Sequence, residues 1–145
     1  MESQKTYSPA DVMVVIGDSS PVIIEVFNSV EIAMEEDKIS HSAAATGQST
    51  RVINASKLGT ITLTLPQTTK DNEKILKEYK KILKNYAKGA FTMIDVRDKL
   101  GQSKHIINRA SINRVANSNY EKESSNRAWA FTGDVVDNDV TGNEY

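Results

Sequence analysis

The segment 58–66, LGTITLTLP, constrains the fold more tightly than any other stretch, because Ile61, Leu63 and Leu65 alternate with Thr60, Thr62 and Thr64. A period of two places the aliphatic side chains on one face and the threonines on the other, the mark of a strand buried on one side and wet on the other. Pro66 is expected to stop it, since proline cannot donate to a ladder. Other β-favouring runs flank it. Residues 12–16 and 22–27 surround the turn-forming cluster 17–21 and read as a hairpin, and Val30, Ile32 and Met34 alternate with Glu31, Ala33 and Glu35 as a third strand. Downstream, residues 90–96, 105–115 and 126–136 read as further strands, separated by a turn at 98–103 containing Gly101 and by the polar segment 116–125.

One stretch follows a different period. Ile75, Leu76, Tyr79, Ile82, Leu83 and Tyr86 recur at spacings of three and four, with Lys74, Lys77, Lys80, Lys81 and Lys84 on the opposite side. This predicts an amphipathic helix over about 70–87, with Thr68 and Thr69 available to cap its start and Gly89 placed to end it. A single helix among roughly seven or eight strands gives a mainly β (α+β) class, a β-sandwich or barrel of two packed sheets with one flanking helix. The expected core is Ile61, Leu63, Leu65, Ile75, Tyr79, Ile82, Leu83, Trp129 and Phe131.

Two segments stand outside this pattern. Residues 35–57 dissolve into small and polar residues with a short apolar patch at Val52 and Ile53, which reads as a long protruding loop or hairpin. Residues 137–145 form a polar C-terminal tail. With 145 residues the chain fits one domain, 1–145. No apolar stretch approaches the ~20 residues of a spanning helix, and residues 1–10 lack the basic start and apolar run of a signal peptide, so no membrane partner is expected.

Composition removes several functions. The chain has no cysteine, so neither disulfides nor thiolate metal sites can hold it, and synthesis in a reducing cytoplasm is expected. Eighteen basic residues balance 19 acidic ones for a net charge of −1, without the basic excess that nonspecific nucleic-acid binding needs. His41 and His105, the 2 histidines, have no metal-binding spacing, and Glu35, Glu36 and Asp37 lack the calcium-loop pattern. No serine sits in a nucleophile elbow, and no glycine-rich phosphate loop occurs. The lysine face of the helix is interleaved with Asp71, Glu73 and Glu78 and reads as a solvated surface. Catalytic residues, metals and cofactors are therefore expected to be none. Arg51, Arg97, Arg109, Arg114 and Arg127 fall in or near strand regions, where a half-buried cation needs a partner from a neighbouring strand or subunit.

An ordered series of short motifs resembles the phage tail tube proteins over nearly the whole chain. It comprises Tyr7-Ser8-Pro9 before Asp11-Val12, the stretch RVINASKLGTITLTLPQ over 51–67, and 68–73 leading into the helix. It continues with Phe91, Asp95 and Asp98, and closes with Asn126-Arg127-x-Trp129-x-Phe131. The resemblance, which extends to the inner tube proteins of type VI secretion, implies a structural virion protein. Homohexameric rings would close by joining sheets edge to edge and stack into a channel for DNA delivery. It also implies that 35–57 is an arm reaching the adjacent ring, with Ser40, His41, Thr46, Gly47, Gln48, Arg51 and Asn54 as its contacts. Implied partners are copies of the chain itself, a sheath protein where the tail is contractile, and tape measure, baseplate and terminator proteins. DNA would cross the lumen without specific binding. The alternative is a tail terminator, baseplate adaptor or other binding module on the same scaffold. The segment HSAAATGQS is richer in alanine than the resemblance requires, and the helix is more basic.

Overall fold

The computed structural model describes residues 12–17, 21–24, 26–98 and 103–139. Within them the chain runs β1 (Val12–Ile16), β2 (Val22–Ile24), β3 (Ser29–Met34), β4 (Ile39–Ala43), β5 (Ser49–Ile53) and β6 (Leu58–Pro66). The helix α1 (Asp71–Lys84) and a short 3-10 turn (Tyr86–Lys88) follow, then β7 (Thr92–Asp98), β8 (Lys104–Ile112) and β9 (Asn126–Asp139). The motif Tyr7-Ser8-Pro9, Asp11, most of the first turn and the centre of the 98–103 turn lie outside the described residues.

Seven strands form one antiparallel sheet in the order β2-β1-β7-β8-β9-β6-β3, and β4 and β5 form a sheet of two. The mainly β class with one helix is as the sequence indicates. The two walls of the core come from one continuous sheet, and the second sheet is the protruding hairpin. A single buried cluster draws Val14 and Ile16 from β1, Ile61, Leu63 and Leu65 from β6, Ile94 and Val96 from β7, Ile107 and Ile112 from β8, and Trp129 and Phe131 from β9. Each such aliphatic contributes about 1.5–3 kcal/mol by leaving water.

Strong curvature is needed for one sheet to enclose its own core, and the ladder breaks where it bends. The register shifts between Thr92 and Ile94 in β7–β8, and between Asn108 and Ser111 in β8–β9. Arg109 sits inside the second irregularity with φ 53, the one non-glycine among the described residues in the left-handed region. Gly133 lies across from that bend. A Cβ there would meet Ala110 Cα at 2.7 Å and Asn108 O at 2.8 Å, so only glycine allows the two backbones to approach so closely.

The helix seats by its first half. Asn72 and Ile75 are buried and Leu76 and Tyr79 pack partly on the core. Ile82, expected in the core, is only half-buried, and Leu83, also expected there, is 53% exposed. The apolar period was right, but burial falls along the helix and its last turn stays largely exposed. Neither threonine provides the N-cap, which is Lys70 without a side-chain cap bond, and the α-helix ends at Lys84 before the turn closed by Gly89 at φ 72. The last described residues of the polar tail, 137–139, are the end of β9.

Candidate assembly surfaces

Residues 35–57 build a hairpin that stands off the domain. β4 and β5 pair from Ile39↔Ile53 through Ser40↔Val52 and His41↔Arg51 to Ala43↔Ser49. At the tip Gly47 N donates to Ala44 O at 2.9 Å and Ala44 N to Gln48 O at 2.7 Å, and Gly47 takes φ 90. A turn followed by a left-handed glycine is a common three-to-five-residue hairpin closure, which explains why TGQ can reverse the chain here. At the base Asn54 N donates to Lys38 O at 2.7 Å, the Asn54 side-chain amide bonds the Glu36 carboxylate, and Ser56 N donates to Asn54 Oδ1 at 2.9 Å. Asn54 therefore anchors the arm, while Thr46, Gly47 and Gln48 lie at its tip and Ser40, His41 and Arg51 along its rungs.

Every residue of β4 and β5 is exposed. Ile39 is 50% exposed, Val52 52% and Ile53 63%, three aliphatics near the base without a core to enter. A two-stranded ribbon is marginal by itself in water, so a ribbon with exposed aliphatics has reason to seek a surface.

Beside the arm lies an open sheet edge. β3 pairs with β6 and, among the described residues, with no other strand. Glu35 N donates to Leu58 O at 3.0 Å, so the two-residue alternation of an antiparallel ladder turns Ala33 and Glu31 inward and points the backbone groups of Val30, Ile32 and Met34 outward. β3 has no proline, lysine or bulge, and Glu31 is its one charged side chain, so it carries few of the devices that discourage strand addition. The opposite edge, β2, is a strand of 3 residues.

The arginines divide by environment. Arg97 bonds the carboxylate of Asp95, two residues earlier on the same strand, through Nε at 2.9 and 3.0 Å. That hydrogen bond and the charge of Asp95 raise the Arg97 pKa above its ordinary value. Arg109 lies over the Phe91 ring at 5.3 Å from its centroid, held there by the bend in β8. Arg127 carries a buried Nε without a hydrogen-bond partner, and Arg51 sits in the arm opposite His41. The Arg109–Phe91 contact and the bend that creates it have no signature in the sequence, since neither residue type announces a bulge.

Among the described residues no group of three metal-ligating side chains converges. His105 Nδ1 lies 2.7 Å from Asn138 Oδ1, a cross-strand pair. Among the described residues, surface depressions of about 450, 420 and 370 Å³ are lined by small, polar and apolar side chains together with charged ones such as Arg109, Arg114 and Arg127. No described helix is long and apolar enough to cross a membrane.

The fold is shared with chains of contractile injection machines. It is similar to the tube-terminating cap of the anti-feeding prophage, with a TM-score of 0.56 at 11% identity over 92% of this chain and 91% of that one. It is similar to a chain of the PVC sheath/tube terminator in the extended state (0.52, 13%, 93% of this chain and 98% of that one). A chain of the sixfold-symmetrised anti-feeding prophage baseplate gives 0.53 at 10% identity over 94% and 95%. Residues 5–141 match the family of the bacteriophage PhiTE tail tube protein, and the chain belongs to that family. A sequence search of curated proteins gives no match. The chain is thus a structural component of a phage tail, as the motif series indicated.

Proposed function

We propose that the chain is the repeating subunit of the tail tube. Copies close into homohexameric rings by continuing the seven-stranded sheet across the β3 edge, which satisfies its outward backbone groups and leaves no open end. Rings stack through the hairpin of residues 35–57, with Ser40, His41, Thr46, Gly47, Gln48 and Arg51 meeting the next ring and Asn54 fixing the arm's base. The stack forms the channel through which DNA leaves the virion without specific binding. A sheath in a contractile tail, the tape measure protein and the baseplate and terminator proteins are its other partners. The subunit is made in the host cytoplasm, and its function is mechanical rather than catalytic.

The observation that carries this reading is a ribbon exposed along its whole length, rooted beside a strand edge that has no neighbouring strand among the described residues. Deletion within residues 40–49 tests it. The shortened protein should remain folded and still close rings, yet fail to form filaments under the electron microscope. Loss of the fold would make the segment part of the core, and unchanged filaments would remove the arm from stacking. If the intact protein forms finite rings that never elongate, the terminator role on the same scaffold replaces the tube role.

A further inference from the structure

The arm and a long coil lie at opposite ends of the same strand. β6 receives the chain from the arm at Leu58 and ends at Pro66. The register of β4–β5 departs from that of β3–β6 by a single residue, so the arm prolongs the β3–β6 ribbon past its Leu58 end. At the Pro66 end, residues 113–125 connect β8 to β9 without helix or strand. This coil is tied down at both ends. Asn113 N donates to Ala130 O at 3.0 Å, Gln67 N to Ser125 O at 3.1 Å, and Ser125 N to Gln67 Oε1 at 3.1 Å. Between those ties Ala116 is the one buried residue, while Val115 is 46% and Tyr120 78% exposed.

Two depressions flank the coil and share Val115 and Ala116 in their walls. The one of about 450 Å³ extends to Thr62 and Arg114, and the one of about 420 Å³ to Thr69 and Tyr120. The coil also bears exposed ions of both signs, Arg114 and Glu123, as the arm bears Asp37 and Arg51. Among the described residues none of these four has an ion-pair partner.

We propose that the coil 113–125 is the socket for the arm of a second copy in the next ring. This deepens the tube reading and rests on it. A stack that elongates cannot join like surfaces, because an isologous contact closes after one pair. The arm end must therefore meet a different surface, and the one an identical neighbour turns toward it is the Pro66 end. The tip is shaped for entry: residues 43–49, AAATGQS, carry no side chain longer than that of Gln48. Such a tip is slender, and its alanines and glycine lose no side-chain rotamer freedom on being held. The alanine run, exposed and unused within the monomer, thereby acquires a purpose. Behind the tip, Val52 and Ile53 supply apolar surface for Tyr120, and Arg51 and Asp37 supply charges opposite to those of Glu123 and Arg114. Because the coil is already tied at both ends, docking does not have to order it.

The chain has no cysteine, so thiols can be introduced in chosen pairs. Ala44→Cys with Val115→Cys in the full chain, assembled and mildly oxidised, should give a long ladder of covalent multimers on a nonreducing gel, since each copy links to one in the next ring. Ala44→Cys with Met93→Cys, whose second thiol lies on β7 away from the coil, should stay monomeric on the same gel. Filaments that form without a ladder from the first pair, equal ladders from both pairs, or a ladder that ends at the copies of a single ring overturn the socket and leave the tube reading intact. Failure of the unsubstituted protein to form any ring or filament removes the tube reading and the socket with it. As a second readout, Tyr120→Ala and, separately, Val115→Asp alter exposed side chains and should leave ring formation unchanged. Each should raise the concentration needed for stacking at least about tenfold, as loss of an interface anchor does. Stacking at the wild-type concentration by either variant contradicts the assignment.

Discussion

Trp129 donates its indole N–H to Asn72 Oδ1 at 2.9 Å across the interior, joining β9 to the first turn of the helix. The Asn72 amide nitrogen in turn donates to Pro66 O at 3.0 Å and Thr69 O at 3.2 Å, so one buried side chain ties the end of β6, the helix entry and β9 together. Trp129→Phe preserves much of the aromatic packing but leaves the Asn72 oxygen without its donor. A loss of about 1–3 kcal/mol is expected in urea unfolding, the cost of an unsatisfied buried acceptor. A change within error would mean that water replaces the indole.

Gly133 and Gly59 should respond differently to an added methyl. At Gly133 the new Cβ meets backbone atoms of Ala110 and Asn108, which cannot move without straightening the bend, whereas at Gly59 its nearest neighbour is the end of the Val135 side chain. Gly133→Ala should cost at least about 1–3 kcal/mol, the usual range for overpacking, and Gly59→Ala less. Thermal or urea unfolding of the two variants side by side checks the order.

The fall in burial along the helix makes a paired prediction. Ile75→Ala removes a fully buried side chain and should cost about 2–5 kcal/mol. Leu83→Ala, on the same apolar stripe but 53% exposed, should shift monomer stability by no more than about 0.5–1 kcal/mol. Equal effects in unfolding measurements on the monomer would place the end of the helix on the core after all.

Most of the fold was legible because alternation and helical period directly record burial. The Ile61, Leu63 and Leu65 series, the β3 alternation and the amphipathic helix all report which side faces the core. The pattern could not show where the helix leaves the sheet, because Leu83 has the same spacing whether or not a wall stands opposite it. It also could not show that one sheet supplies both walls, since pairing order and the bend around Arg109 are tertiary choices with no local signal. The hairpin was legible as a departure from pattern, small polar residues where a compact domain has no use for a long insertion. The open edge of β3 was not, because a strand reads alike at the border and in the middle of a sheet.

Met34→Pro tests that edge. The backbone N–H of Met34 points away from β6, so proline there should leave the β3–β6 ladder intact and the domain folded. Circular dichroism and urea unfolding should stay close to wild type while ring formation is lost. Rings that persist with this variant would mean that copies join elsewhere.

The central claim is that these sheets are completed by sister molecules, and the mass of the purified protein across a concentration series tests it most directly. Sedimentation or mass photometry should show monomer giving way to one closed ring species and then to longer stacks as concentration rises. A protein that remains monomeric at the highest concentration reached, with no ring seen, would contradict it.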